Sequence, residues 1–201
     1  MKRIVLASGN PGKIRELTAL LHPIGVEVVA QSQWSITECE ETGLTFVENA
    51  ILKARNAARH TGLPALADDS GIEVDHLRGQ PGIYSARYAG PGGDDRKNNE
   101  KLLRALQDLP PEQRTARFRC VMVFLEHAED PSPIIAEGDW EGRIAEAESG
   151  SGGFGYDPLF YLPDRGCTSA ELPEAEKNQL SHRGQAVRAM AERLARRLGH
   201  A

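Results

Sequence analysis

Only three cysteines, Cys39, Cys120 and Cys167, occur in the 201 residues, and no pair has C-x-x-C spacing. An odd number without that spacing suggests neither a disulfide framework nor a zinc site, so reduced thiols are expected. Long hydrophobic runs are missing too: the longest, Ile4 to Ala7 and Cys120 to Leu125, are far too short to span a bilayer. Lys2 and Arg3 precede the first run, which is also too short for a signal peptide, and a cytoplasmic protein is expected. Positive charge is not in excess, the net value being −5, and aromatics make up only 5%. Both facts argue against nucleic-acid binding, and an anionic ligand would have to be met by cations concentrated locally. No internal repeat, low-complexity tract or linker is visible, so a single domain over residues 1–201 is expected, long enough to bury a real core.

What is present is a series of short apolar segments, each ending in residues suited to chemistry. Ile4 to Ala7 reads as a buried strand that stops at Ser8-Gly9-Asn10-Pro11-Gly12-Lys13. A helix is expected next, with Ile14, Leu17, Leu20 and Leu21 on one face until Pro23 and Gly25. A glycine-rich turn ahead of a helix offers free N–H groups and the positive end of the helix dipole to a phosphate, and Lys13 would add a full charge. The glycine spacing is not that of a P-loop, and Ile14 stands where its hydroxyl would be, which disfavours a kinase or GTPase.

Val26 to Ala30 reads as a second strand, followed by an acidic stretch with Glu38, Glu40 and Glu41. Thr45 and Glu48 form a capping box for a helix from Phe46 to about His60, stopped by Gly62. Its small-residue stripe is Val47, Ala50, Ile51, Ala54, Ala57 and Ala58, and Lys53 borders it. Leu66-Ala67-Asp68-Asp69-Ser70-Gly71 then interrupts strand-like sequence with two carboxylates, which by themselves fit an Asx-type turn at a strand end. The functional alternative is a pair that holds a divalent metal or takes a proton. The loop Gly79 to Tyr88, with two tyrosines and Arg87, suits a substrate wall or an oligomer surface.

Asp94 or Asp95 can cap a helix through Leu109, and Arg117 to Glu126 with Ile134 to Ile144 reads as a hairpin. Gly150 to Pro158 is a second glycine-rich element whose Phe154 and Tyr156 offer flat apolar faces suited to a planar ring. Lys177 precedes Ser181-His182-Arg183-Gly184 and a basic helix with Val187, Met190, Ala191, Leu194 and Leu198 on its buried stripe. Cations at a helix N-terminus oppose its dipole, and an anion there would give Arg183 and His182 an electrostatic motive. Oxygen ligands, phosphate cations and a stacking face together are what a magnesium-bound nucleoside triphosphate requires.

Taken in order, these blocks resemble the inosine/xanthosine triphosphate pyrophosphatase family. The matching residues are Ser8 to Lys13; Glu41 to Phe46 with Glu48-Asn49-Ala50 and Lys53-Ala54; Ala67 to Gly71; Pro81 to Arg87; Gly152 to Pro158; and Ser181-His182-Arg183. Ser8 stands where relatives often have threonine, and the hydroxyl is kept. The resemblance implies an α/β fold, an elongated mixed β-sheet with flanking helices forming two lobes around a central substrate cleft. It also implies a homodimer, a Mg²⁺ requirement, and hydrolysis of ITP, dITP and XTP to the nucleoside monophosphate and pyrophosphate. By the same resemblance Ser8, Gly9, Asn10, Pro11, Gly12 and Lys13 cradle the triphosphate with Lys53, while Glu41 and Asp69 hold the metal.

Asp69 would also accept the proton of the attacking water; near its ordinary pKa a carboxylate is a weak base, so the metal must share that work. Ser70 would touch the substrate, Phe154, Gly155, Tyr156 and Asp157 would embrace base and sugar, and Lys177, His182 and Arg183 would complete the pocket. Arg183 or backbone donors would suit the 6-oxo group of hypoxanthine or xanthine and leave adenine's amino group mismatched. The alternatives are a pyrophosphatase of related fold for modified pyrimidine or methylated nucleotides, and a nucleotide sensor without turnover.

Overall fold

A computed structural model describes residues 2–8, 11–37 and 39–199. In chain order the elements are β1 (Lys2–Leu6), α1 (Pro11–Leu21), β2 (Val26–Ala30), α2 (Phe46–Thr61), β3 (Ala65–Val74), α3 (Asp95–Ala105), β4 (Thr115–Leu125), β5 (Ile134–Ile144), β6 (Phe160–Leu162), β7 (Cys167–Thr168), α4 (Glu174–Leu180) and α5 (His182–Arg197). The strands form one sheet in the order β2-β1-β3-β4-β5-β6-β7. β1 runs parallel to β2 and β3, whereas β6 is antiparallel to β5 and β7, so this is an α/β fold on a mixed sheet.

The chain packs as two compact units, residues 1–69, 120–137 and 185–201 in the first and residues 70–119 and 138–184 in the second. In the first unit, Ile4 and Leu6 of β1, Leu17 and Leu21 of α1, Met122 and Phe124 of β4, and Val187, Met190 and Leu194 of α5 share one core. Removing each such side chain from water contributes about 1.5–3 kcal/mol, which is what holds α1 and α5 to the strands. Cys120 lies in this core and acts as a small apolar residue. α2 buries Ala50, Ala54, Ala57 and Ala58; small side chains let a helix approach closely, and α2 packs on β1. Its N-terminus is capped by Thr45, which accepts the Glu48 N–H, and Gly62 ends it in the left-handed conformation at φ 68°.

The second unit has its own core of Ile72, Val74, Leu102, Leu106, Phe118, Trp140, Ile144, Tyr156, Leu159, Phe160 and Leu162. Phe118 and Trp140 pack tilted on Phe160, at ring separations of 4.5 and 5.4 Å.

Three boundaries differ from the sequence expectations. Asp68 to Gly71 is not a turn, because β3 runs unbroken from Ala65 to Val74 with both aspartates buried. Tertiary ion pairs satisfy the two carboxylates within the strand, and that overrides their turn preference. α1 begins at Pro11, so Lys13 lies in its first turn and not in the loop ahead of it. A proline at the first helical position has no N–H to lose and a preset φ. α3 does start after Asp94, whose side chain accepts the Lys97 N–H, but it ends at Ala105 instead of Leu109. Tighter Leu106 to Leu103 and Leu109 to Leu106 hydrogen bonds follow, as expected for a chain approaching Pro110. The helix α4, which carries Lys177, was not foreseen.

Candidate functional site

In the first unit the site residues are organised by Asp68 and Asp69 of β3. Successive side chains of a strand leave on opposite faces, and the two aspartates meet cations from different helices. The Lys13 ammonium of α1 donates to both oxygens of Asp68, at 2.9 and 2.7 Å. The Lys53 ammonium of α2 donates to Asp69 Oδ1 at 2.7 Å and to Glu41 Oε1 at 3.0 Å. One turn earlier on α2, buried Asn49 donates its Nδ2 to Asp69 Oδ2 at 3.3 Å and accepts the Gly43 N–H at 2.9 Å. Asn49 and Lys53, four residues apart on one helical face, thus hold the two oxygens of a single carboxylate. The turn before α2 is equally constrained: a Cβ on Gly43 would lie 2.6 Å from Glu48 Cβ and 2.7 Å from Asn49 Oδ1.

Burial is the main cause that lifts the Asp69 pKa above the ordinary aspartate range; Glu41 adds to it, and Lys53 and Asn49 only partly offset it. Burial opposes the charge of Lys53, but Asp69, Asp68 and Glu41 together outweigh it and hold that ammonium firmly protonated. Asp69 is therefore a better proton acceptor than the unperturbed carboxylate expected from sequence. Glu41 and Asp69 meet on one cationic nitrogen, so their hard oxygens converge on a position that suits a cation. Mg²⁺ commonly takes one or two carboxylates and completes its shell with water and phosphate, and this pair fits that donor set. Among the described residues no cluster of three or more metal-binding side chains occurs. Ser8 is half-buried just past β1, Pro11 and Gly12 are the first residues of α1, and Gly9 and Asn10 lie outside the described residues.

In the second unit the residues gather around Phe154, a residue that is 57% exposed. The Lys177 ammonium and the Arg183 guanidinium stand 5.5 and 5.7 Å from its centroid. Arg183, in the first turn of α5, also donates to Ser70 Oγ at 3.3 Å, so this helix-start cation has a hydroxyl and a ring face as partners. Asp157 is buried and accepts the Phe154 N–H at 2.8 Å, the Ser169 hydroxyl at 2.8 Å and the Lys177 ammonium. It therefore shapes the loop from within.

Two expected pocket residues are placed differently. Tyr156 is a core residue whose hydroxyl donates to the Ser85 carbonyl at 2.8 Å, so its ring is not offered as a face. His182 is buried and stacks on Phe118 at 4.7 Å, which makes it a packing residue first. The sequence reading places Asn49 in a matched block without a role, and it does not single out Ser169. An asparagine beside the alanine stripe of α2 was the available signal for the first; nothing local marks the second.

The Ham1 family model matches residues 4–193. The chain is 66% identical over 192 residues to the dITP/XTP pyrophosphatase of Thioalkalivibrio sulfidiphilus, covering 96% of this chain and 98% of that protein. It is 58% identical over 194 residues to the dITP/XTP pyrophosphatase of Photorhabdus laumondii, with the same coverage of 96% and 98%. Among solved structures, a HAM1 protein from Coxiella burnetii superposes with a TM-score of 0.94 at 47% identity, over 98% of this chain and all of that one. With the family model, the curated relatives and a solved structure all matched across nearly the full length, the chain belongs to the Ham1 family.

Proposed function

We propose that this chain hydrolyses the non-standard purine nucleoside triphosphates ITP, dITP and XTP to nucleoside monophosphate and pyrophosphate. The observation that carries the proposal is the Glu41-Lys53-Asp69 cluster, a buried carboxylate of raised pKa flanked by a second acid and a fixed ammonium. The names of the curated relatives supply the substrate class.

The geometry supports a role for each of these residues. Lys13 and Lys53 supply the charge that a polyphosphate needs, exchanging their carboxylate partners for its oxygens. Glu41 and Asp69 are the residues that would hold Mg²⁺; when bound, the ion neutralises phosphate charge and acidifies water. Asp69 accepts the proton of the attacking water. A purine ring stacks on Phe154, and the Arg183 donors near that ring suit a 6-oxo acceptor, which adenine lacks. We place the enzyme in the cytoplasm as a homodimer; among the described residues no helix is long and apolar enough to cross a membrane.

A pyrophosphate-release assay on ITP, XTP, dTTP and GTP tests the reading. Release from the two deaminated purines well above dTTP and GTP is expected, and no release from either deaminated purine overturns it. Isothermal titration of Mg²⁺ into Glu41→Gln should show weakened binding, while sedimentation velocity decides the dimer.

A further inference from the structure

The two peptide units that flank the Gly155 Cα, just after Phe154, are both held by one helix. The Gly155 N–H donates to Asp95 Oδ2 at 2.8 Å, and the Gly155 carbonyl accepts Asn99 Nδ2 at 3.1 Å. Asp95 and Asn99 lie four residues apart on α3, hence on one face. The same Nδ2 also donates to Glu148 Oε1 at 3.0 Å, so the amide is oriented by two acceptors. Asn99 is buried, and its Oδ1 has no partner among the described residues, so its bonds to the loop are those of its Nδ2. Gly155 itself is at φ 61°, a conformation that other residues adopt only with strain.

The flanking groups are tied as well. Phe154 gives its N–H to Asp157, and Tyr156 is anchored in the core by its ring and by its bond to Ser85. Asn98, between the two clamp residues, accepts the Ala89 N–H at 2.7 Å and donates to the Ala86 carbonyl at 3.2 Å, so α3 also orders the preceding loop. Apart from the Lys177 and Arg183 cations near its face, the mostly exposed Phe154 has little packing of its own to hold its ring. Its orientation is set by its backbone, and that backbone is held by α3.

We infer that Asp95 and Asn99 are positioning residues for base recognition, holding the two peptide units on either side of Gly155 so that Phe154 presents a fixed stacking face. The inference rests on the proposed nucleotide reading, because it assigns the preordered ring to a purine. A loop ordered before binding avoids the entropy loss of ordering it on binding, so the effect falls on affinity for the base and not on the chemical step.

The test combines two readouts. Hydrogen exchange at the Gly155 amide reads the clamp without any turnover. In Asp95→Ala exchange should quicken at least about tenfold, as local opening becomes easier; unchanged exchange overturns the inference. In steady-state kinetics with ITP, Asp95→Ala should raise KM about tenfold with kcat within about threefold, a fraction of the loss expected when base stacking is removed altogether. Asp95 starts its helix at the surface, so this variant should fold, and Asp95→Asn, which keeps an acceptor oxygen, should recover most of the loss. Inhibition by inorganic tripolyphosphate should not change, and Asp95→Ala should add little to Phe154→Ala. Equal loss for tripolyphosphate, or full additivity with Phe154→Ala, overturns the inference. Wild-type protein inactive on ITP but showing the exchange effect would instead sink the functional reading and leave the clamp standing.

Discussion

In the first unit Lys13 and Lys53 are held by Asp68, Asp69 and Glu41, ion pairs whose members each have a use for an incoming ligand. In the second, Asp157 and the first turns of α3 hold backbone N–H and carbonyl groups around Phe154, bonds that no ligand has to break. On the proposed function, the difference follows from what each part would bind. Phosphate and metal ions are highly charged, and a site for them can be kept stable when empty by letting its own charges neutralise one another. A flat, neutral ring offers only stacking and a few hydrogen bonds, so its site gains most from being rigid beforehand.

Five substitutions, one of them as the second half of a double variant, can break or sharpen this contrast. Asp69→Asn keeps shape but not charge, and turnover of ITP should fall by about 10²-fold or more, as for removal of a general base. Undiminished pyrophosphate release would take the chemistry away from the first unit. Lys13→Ala leaves the buried Asp68 carboxylate without its ammonium, and urea denaturation should show a loss of about 1–3 kcal/mol, discounted because Lys13 is partly solvated. Adding Asp68→Asn should recover part of that loss; a double variant weaker than the single one would refute mutual neutralisation.

Gly153→Ala tests the other side. Gly153 is at φ 76°, and its Cβ would fall 2.2 Å from Asp157 Oδ2 and 2.6 Å from Lys177 Nζ. A destabilisation of about 1–2 kcal/mol is expected by thermal melt. The KM for ITP should rise while tripolyphosphate inhibition stays put. The smallest effect concerns acid. A hydrogen bond from the Thr115 hydroxyl, then bonding and charge from Arg117, hold Asp75 below its ordinary value of 3.8. A depressed carboxylate stabilises the fold above its unfolded pKa, and that contribution is lost as pH falls through its folded pKa. The urea midpoint of Asp75→Asn should therefore lie slightly below wild type at pH 6, and the gap should close in the acid range below 3.8. A gap that persists there would mean a packing role.

How much of this was legible in sequence depends on range. α2, with its threonine cap, alanine stripe and glycine stop, is written in local chemistry, as are the apolar stripes of α1 and α5. The list of chemical residues around Asp69 also came through as motifs. The conformation at Asp68 and Asp69 did not, because whether two acids turn a chain or sit inside a strand depends on lysines 55 and 16 residues away. The burial of Tyr156 and His182 was not legible for a related reason: an aromatic ring in a glycine-rich or basic segment looks available until the core that claims it is known. Asp95 and Asn99 were invisible as supports because a capping region and a helix face look the same whether or not a distant peptide binds there.

The unbroken course of β3 carries a genetic consequence. Three consecutive residues serve three different helices: Asp68 meets Lys13 of α1, Asp69 meets Lys53 of α2, and Ser70 meets Arg183 of α5. Since side chains alternate along a strand, inserting or deleting one codon ahead of Ala67 would preserve nearly every amino acid yet reassign all three partnerships at once. A change of length is therefore absorbed far more cheaply in the loops on either side of β3 than within the strand, where it shifts the whole pleat.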